Sequence, residues 1–152
     1  MTDCIFCQIA DGTAPAHKIW EDEEYLAFLG IFPNTKGMTV VIPKKHYASY
    51  IFDVPEDVMI GLTKAARTVG KLLDKTLTTS MRTALVFEGF GVNHVHAKLY
   101  PLHGNKNKDW EPIEKTIDTF FETYEGYLST HEYKRADDND LANLAKEIRD
   151  NA

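Results

Sequence analysis

A long amphipathic pattern near the middle of the chain constrains the fold most. Asp53 and Glu56 form a capping-box pattern in front of it, and Pro55 fits a first helical turn. We therefore predict a helix over Val54–Leu77, whose apolar face must be buried against another layer. The apolar residues that recur at helical spacing are Val58, Leu62, Ala65, Ala66, Val69, Leu72 and Leu73.

Short β-branched and aromatic runs on both sides of this helix predict strands. Lys18–Glu21 and Tyr25–Ile31 form a hairpin pattern, because acidic residues separate two aromatic and aliphatic runs. Met38–Pro43 predicts a third strand that ends at a proline. Two further strands are predicted after the helix, over Met81–Glu88 and Asn93–Tyr100.

The C-terminal third predicts helices. Apolar spacing favours one helix over residues 113–128 and another over residues 141–148, with Asp137 or Asp140 as the N-cap of the latter. The order of three strands, a long helix, two strands and two helices predicts an α+β fold. Its sheet is expected to be five-stranded and largely antiparallel.

Length and charge narrow the class of protein. A chain of 152 residues fits one domain, in which we expect residues 1–103 to carry the motifs and residues 109–152 to form a helical extension. A net charge of −6 with no basic cluster argues against nucleic acid as a partner. No stretch approaches the length of a membrane span, and the N-terminus lacks the pattern of a signal peptide.

The stretch HVHAKLYP, which starts at His94, places two histidines and a lysine at alternate positions. On a strand, His94, His96 and Lys98 would share one face, with the apolar residues between them facing a core. Three such titratable groups in a row repel one another when all are charged, unless an anion or a metal lies over them. The simpler alternative is an exposed polar strand face. Gly89 and Gly91 would permit close approach of a ligand. A histidine whose second nitrogen is held by an acceptor is a nucleophile toward phosphorus.

The two cysteines, Cys4 and Cys7, have the spacing of a zinc half-site. His46 and His94 are the candidates that would complete a structural zinc site. Redox use of the pair, or an incidental pair, are the alternatives, but redox use favours a helix start after a strand. Cysteines this close make a poor disulfide framework, so we expect a reducing cytoplasm. The spare histidines are His17, His103 and His131.

Three motifs resemble the histidine triad (HIT) family of nucleotide hydrolases and transferases. They occur in the expected order and read CIFCQIADGTAPAHKIWEDEEYLAFLGIFPNTKG, VVIPKKHY and GVNHVHAKLYP. The resemblance implies an α+β fold and a homodimer whose two half-sheets join into ten strands. It also implies cleavage at the α-phosphate of a nucleotide, such as a phosphoramidate or a dinucleoside polyphosphate, through a covalent nucleotidyl-histidine.

The resemblance also implies roles for single residues. His96 matches the family nucleophile, and His94 matches the first histidine of the triad, which in zinc-bearing members binds the metal with a CxxC pair and an upstream histidine. Asn93 is a further candidate for substrate contact, although the family asparagine stands at another position. The positions that match the nucleobase pocket, for which ordinary core is the alternative, are Phe6, Ile9, Phe28 and Ile31.

The chain departs from the family pattern near the phosphate and the sugar. Lys98 stands in place of the third histidine. A lysine supplies a cation, but it is a poor proton shuttle at neutral pH. Gly30 stands where the family has an aspartate that binds ribose hydroxyls, and Met38 replaces a frequent histidine. A binding module without turnover is therefore the alternative to a hydrolase. A zinc-stabilised interaction protein that works through its C-terminal helices is a third reading.

Overall fold

The computed structural model describes residues 3–104 and 134–151. The predicted helix over residues 113–128 lies outside them, as does His131. The helices and strands are α1 (Ile5–Asp11), β1 (Lys18–Glu21), β2 (Tyr25–Leu29), β3 (Thr39–Pro43), α2 (Glu56–Thr76), β4 (Ser80–Val86), β5 (Ala97–His103) and α3 (Asp138–Asp150).

The five strands form one sheet in the order β1-β2-β3-β5-β4, and every neighbouring pair is antiparallel. The predicted α+β class with a five-stranded sheet is therefore confirmed. Strand β5 has a neighbour on each side, with Lys98 opposite Val40 of β3 and Val86 of β4. This pairing carries the segment after His94 into the interior of the sheet.

Apolar side chains cover both faces of the sheet. Helices α2 and α3 pack over one face, where Leu62, Leu73 and Ile148 are almost completely buried. Because α3 buries its apolar face here, the described part of the C-terminal region belongs to the core. A smaller cluster covers the other face, where α1 packs; it consists of Phe6, Ile9, Leu26, Phe28, Met38, Val40, Ile42 and Tyr100.

The start of α2 differs from the prediction. The helix begins at Glu56 with Pro55 as its N-cap, and no side chain caps it. The capping box at Asp53 is wrong because a residue that precedes proline disfavours the helical region, and Val54 is extended. The Asp137 N-cap of α3 is confirmed, since its carboxylate accepts the backbone N–H groups of residues 139 and 140.

Strand β5 also differs from the prediction of Asn93–Tyr100. It begins at Ala97 and continues through Pro101, which is tolerated because the pairing with β4 is irregular between Ser80 and Thr83. His94 and His96 therefore lie just before the strand. Their backbone groups are less committed to the sheet, and the carbonyl of His94 accepts a side-chain hydrogen bond.

Helix α1 was not predicted from the sequence. Its seven residues are too few to establish a helical period, and Cys4 is its N-cap. The signal that marks its end is Gly12, which adopts a left-handed φ of 83°. No helix within the described ranges is both long and apolar enough to cross a bilayer.

Candidate active site and metal centre

Four predicted ligands converge from three segments of the chain. Cys4 and Cys7 lie at the start of α1, His46 follows β3, and His94 precedes β5. Their ligand atoms all lie within 4.8 Å of one another. The Nδ1 atom of His94 is 3.5 Å from the sulfur of Cys4 and 3.6 Å from that of Cys7, and Nδ1 of His46 is 3.3 Å from the latter.

These distances suit a tetrahedral metal. Zinc–sulfur and zinc–nitrogen bonds of about 2.3 and 2.0 Å place neighbouring ligands roughly 3.5 Å apart. His94 is fully buried, and its Nε2–H donates to the carbonyl of Pro43 at 2.8 Å, which leaves the lone pair of Nδ1 directed at the sulfurs. Burial lowers the pKa of His94, so the ring is neutral, as ligation requires. The four residues therefore fit a metal ion.

His96 is held by the backbone of His94. Its Nδ1–H donates to the His94 carbonyl at 2.7 Å, so the second ring nitrogen, Nε2, carries a lone pair. The residue is 2% exposed, and its ring centroid lies 5.3 Å from that of Phe6 in an edge-to-face arrangement. Burial lowers the pKa of His96, and the nearby Lys98 cation lowers it further, against opposing effects of Glu88 and the His94 hydrogen bond. A neutral imidazole is the nucleophilic form.

The cation of Lys98 is not isolated. Its ammonium forms an ion pair with the carboxylate of Glu88, and the two side chains are only 11% and 14% exposed. The sequence indicates a charge at Lys98 but no partner for it. Since the pair spans ten residues between the end of β4 and strand β5, no local period signals it. The site therefore carries an internally compensated charge beside His96.

A cavity of about 410 Å³ opens next to these groups. Its size is within the range of small-molecule sites. Phe6, Ile9, Phe28 and Ile31 all line it, and so do His96 and Lys98. These six residues thus meet around one volume, which is what a ligand with its reacting end at His96 would need.

Asn93 lies elsewhere. It is exposed and is not among the residues that line the cavity. Its side-chain oxygen accepts the backbone N–H of Ser49 at 3.1 Å. In this conformation Asn93 joins the loop after β3 to the segment that carries the two histidines.

The two glycines before the histidines have different surroundings. Gly91 lines the cavity. Gly89 approaches the protein itself: its φ is +72°, and a β-carbon there would lie 2.8 Å from the carbonyl oxygen of Ser49. Close approach to a ligand thus stays a prediction for Gly91, whereas Gly89 permits a tight backbone contact within the protein.

Replacing Gly89 with alanine is expected to lower the free energy of unfolding by about 1–3 kcal/mol, because the β-carbon meets both an unfavourable φ and a backbone oxygen. Urea denaturation measures this change. The control is Gly91→Ala, where a β-carbon meets nothing within 4 Å, and its effect should stay within about 0.5 kcal/mol. Equal effects of the two substitutions would contradict the assigned contact.

Comparisons with known proteins agree with this geometry. The HIT domain matches residues 11–104. An uncharacterized HIT-like protein of Methanocaldococcus jannaschii is 36% identical, in an alignment that covers 75% of this chain and 98% of that protein. A HIT family hydrolase from Legionella pneumophila has a TM-score of 0.58 at 35% identity, over 72% of this chain and 99% of that one.

A zinc-bound histidine triad family protein from Mycobacterium smegmatis shares the fold over more of the chain. Its TM-score is 0.72 at 23% identity, and the alignment covers 98% of this chain and 92% of that one. The HIT domain match spans more than half of the 152 residues. By fold and by sequence, the chain therefore belongs to the HIT domain family.

Proposed function

We propose that the protein is a hydrolase or transferase that cleaves a nucleotide-like substrate at phosphorus through a covalent bond to His96. The observation that carries this proposal is the hydrogen bond from Nδ1 of His96 to the carbonyl of His94 beside the cavity. It keeps the proton on Nδ1 and leaves Nε2 available to attack. The hydrolase relative from Legionella pneumophila supports the reaction class.

The proposed reaction has two displacements at phosphorus. In the first, the Nε2 lone pair forms a nitrogen–phosphorus bond while the bond to the leaving group breaks, and the leaving group keeps the electron pair. A phosphate leaves as an anion, whereas an amine takes a proton from solvent. In the second, water attacks phosphorus, the electron pair of the nitrogen–phosphorus bond returns to Nε2, and the proton of the water passes to solvent.

Lys98 contributes charge to this site. In the proposal its ammonium faces a non-bridging oxygen of the substrate, where a fixed cation stabilises developing negative charge. Because a lysine is a poor proton shuttle at neutral pH, leaving groups that need no proton should react faster. Glu88 limits the net positive charge and hence the affinity for highly charged phosphates.

A panel of substrates tests the reaction class. Wild-type protein is incubated with nucleotide phosphoramidates, dinucleoside polyphosphates and sugar-nucleotides, and the products are separated by chromatography. Turnover of at least one class supports the proposal. If the protein binds these compounds but cleaves none of them, the second candidate function, a binding module for a phosphorylated ligand, is correct. The Lys98–Glu88 ion pair is the observation that favours this second candidate.

We further propose that Cys4, Cys7, His46 and His94 hold a structural zinc ion. Zinc would supply no redox chemistry at this position, but it would tie α1 to the segment that carries His96. A reducing cytoplasm, which we propose as the location, keeps both thiols available for ligation.

A homodimer is also part of the proposal. Strand β4 forms one edge of the sheet, and Leu85 on that strand is 41% exposed. An edge strand with an exposed apolar side chain can pair with a second copy of itself. Sedimentation equilibrium should therefore give twice the mass of the 152-residue chain, and a monomeric mass at micromolar concentration would contradict the dimer.

Replacing Glu88 with glutamine is expected to raise the affinity for inorganic phosphate on the order of tenfold. Two unit charges several ångströms apart interact by about 2 kcal/mol at an effective dielectric constant of about 20, so removal of the carboxylate favours an anion at Lys98. Titration calorimetry at two salt concentrations measures this change. Glu147→Gln, on the exposed side of α3, is the control, and equal affinities in the two variants would show that Lys98 does not face the anion.

A further inference from the structure

The cavity offers little to a sugar. Apart from His96 and Lys98, every described side chain that lines it is aliphatic, aromatic, a thioether, or that of a glycine or proline. None of these can accept or donate a hydrogen bond strongly. A ribose placed in this lining would bury its hydroxyl groups against side chains that offer no hydrogen bond, which opposes binding.

Gly30 and Met38 together account for this apolar character. A β-carbon at position 30 would lie 2.7 Å from the sulfur of Met38 and 2.8 Å from its terminal methyl carbon. Met38 is 6% exposed, and its thioether end occupies the space beside Gly30 in this conformation. The backbone N–H of Gly30 is also committed, since it donates to the carbonyl of Met38 at 3.0 Å.

The two positions are thus coupled. An acidic side chain at position 30 would require the flexible thioether end of Met38 to shift, and with glycine at position 30, Met38 can close the wall. Two departures that seemed separate in the sequence are one contact in the structure. The polar side chains of the lining, those of His96 and Lys98, are suited to a phosphoryl group.

The geometry points to a site that selects small phosphoryl compounds with an aromatic, unhydroxylated body over the corresponding ribonucleotides. The inference rests on the proposed function in one respect, since it takes the phosphorus to lie at His96. Suitable bodies are an aryl group or a nucleoside without its 2′- and 3′-hydroxyls. The aromatic rings of Phe6 and Phe28, whose centroids are 5.5 Å apart, supply the apolar contact for such a body.

The test compares matched ligands on wild-type protein. The substrates are adenosine 5′-phosphoramidate, its 2′,3′-dideoxy analogue and phenyl phosphoramidate. We expect kcat/KM of the dideoxy compound to exceed that of the ribonucleotide by about five- to tenfold, because unpaired buried hydroxyls weaken binding. Equal values, or a preference for the ribonucleotide, would overturn the inference.

Binding of unreactive ligands separates this inference from the proposed function. Adenosine 5′-monophosphate, its dideoxy analogue and phenyl phosphate are titrated into the wild-type protein by calorimetry. If no phosphoramidate is cleaved but the dideoxy compound still binds about fivefold more tightly, the proposed reaction fails and the selectivity holds. If turnover occurs and the ribonucleotide binds as well or better, the selectivity fails and the reaction holds.

Variants at the coupled positions provide a second test. Gly30→Asp with Met38→Ala creates room for a carboxylate that can accept sugar hydroxyls, so the ratio of dideoxy to ribonucleotide affinity should fall about tenfold. Gly30→Asp alone should lower the ratio less than the double variant does, because the thioether of Met38 must first shift aside, and Met38→Ala alone should leave the ligand ratio unchanged because alanine is also apolar. A folded double variant with the wild-type ratio would contradict the inference.

Discussion

Replacing His96 with asparagine is expected to lower kcat/KM by at least about 10³-fold, because the variant has no ring nitrogen to attack phosphorus. Asparagine is chosen because its amide can still donate to the carbonyl of His94, as Nδ1 of His96 does at 2.7 Å. The hydrogen bond that holds the position is then preserved while the nucleophile is lost. Affinity for an unreactive phosphate ligand should change by less than about tenfold.

The control for this substitution is His103→Asn. His103 lies on the surface, where its two ring nitrogens bond the hydroxyl of Thr79 and the carbonyl of Lys36. Its replacement should leave kcat/KM within about twofold of wild type. Steady-state kinetics on the substrate that wild type cleaves fastest gives both values, and thermal melting checks that each variant is folded.

Trapping the covalent intermediate tests whether His96 is the nucleophile. Wild-type protein quenched with denaturant during turnover should carry a nucleotidyl adduct on His96, identified by mass spectrometry under alkaline conditions. His96→Asn should carry none. Two results would contradict the assignment of His96 as nucleophile: turnover by the asparagine variant, or an adduct on another residue of the wild type.

Loss of the proposed zinc ion is expected to lower the thermal stability of the protein strongly. A metal present at about 1,000 times its dissociation constant stabilises the folded protein by about 4 kcal/mol. For a chain of this size that corresponds to roughly 8–16 °C in melting temperature. We therefore expect Cys7→Ser to lose one zinc ion per chain and to melt lower by about this amount, since Cys7 contacts both His46 and His94.

Metal analysis and melting curves with and without a chelator test this expectation. The chelator should lower the melting temperature of wild type to that of Cys7→Ser and leave the variant unchanged. His17→Ala is the control, because His17 bonds Asp138 at 3.2 Å and lies outside the ligand set. Two outcomes would refute the structural site. Wild type purified in zinc-containing buffer would carry no bound metal, or its melting temperature would not change with the chelator.

The two predictions are linked through the backbone of His94. Its ring belongs to the four-residue ligand set, while its carbonyl accepts the Nδ1–H of His96. Metal loss should therefore loosen the position of the nucleophile. Wild type treated with chelator at a temperature where it stays folded should lose part of its kcat and regain it when zinc is added. The hydrogen bond between His96 and the His94 carbonyl joins residues two apart in the chain. The orientation of His94 itself is expected to depend on Cys4 and Cys7, which lie near the N-terminus.

Much of the fold could be predicted because its signals are local. The apolar residues of α2 recur at a spacing that only a helix aligns on one face, and the first hairpin has two aromatic and aliphatic runs separated by acidic residues. The candidate metal ligands were also predicted, because the CxxC spacing is that of a zinc half-site, although His17, His103 and His131 stood as alternatives to His46 and His94. Element ends were less certain, as Pro55 and Pro101 show.

Other features depend on contacts between residues far apart in the chain. The convergence of Cys4 with His94 spans 90 residues, so no sequence period reports it. The segment from His94 to Lys98 was predicted to be one strand face, but the structure divides it between a candidate metal ligand, a histidine held by a backbone carbonyl and an ion pair. That division depends on where α1 and the end of β4 pack.

The sequence by itself determined the α+β class, and it indicated the cysteines and histidines of the candidate metal site and His96 as the proposed nucleophile. Only the tertiary structure decided that Glu88 compensates Lys98 and that Met38 fills the space beside Gly30. The physical reason is that charge compensation and steric exclusion act over a few ångströms between side chains. Spacing along the chain fixes which side chains share a face of one element, whereas packing between elements fixes which of them touch.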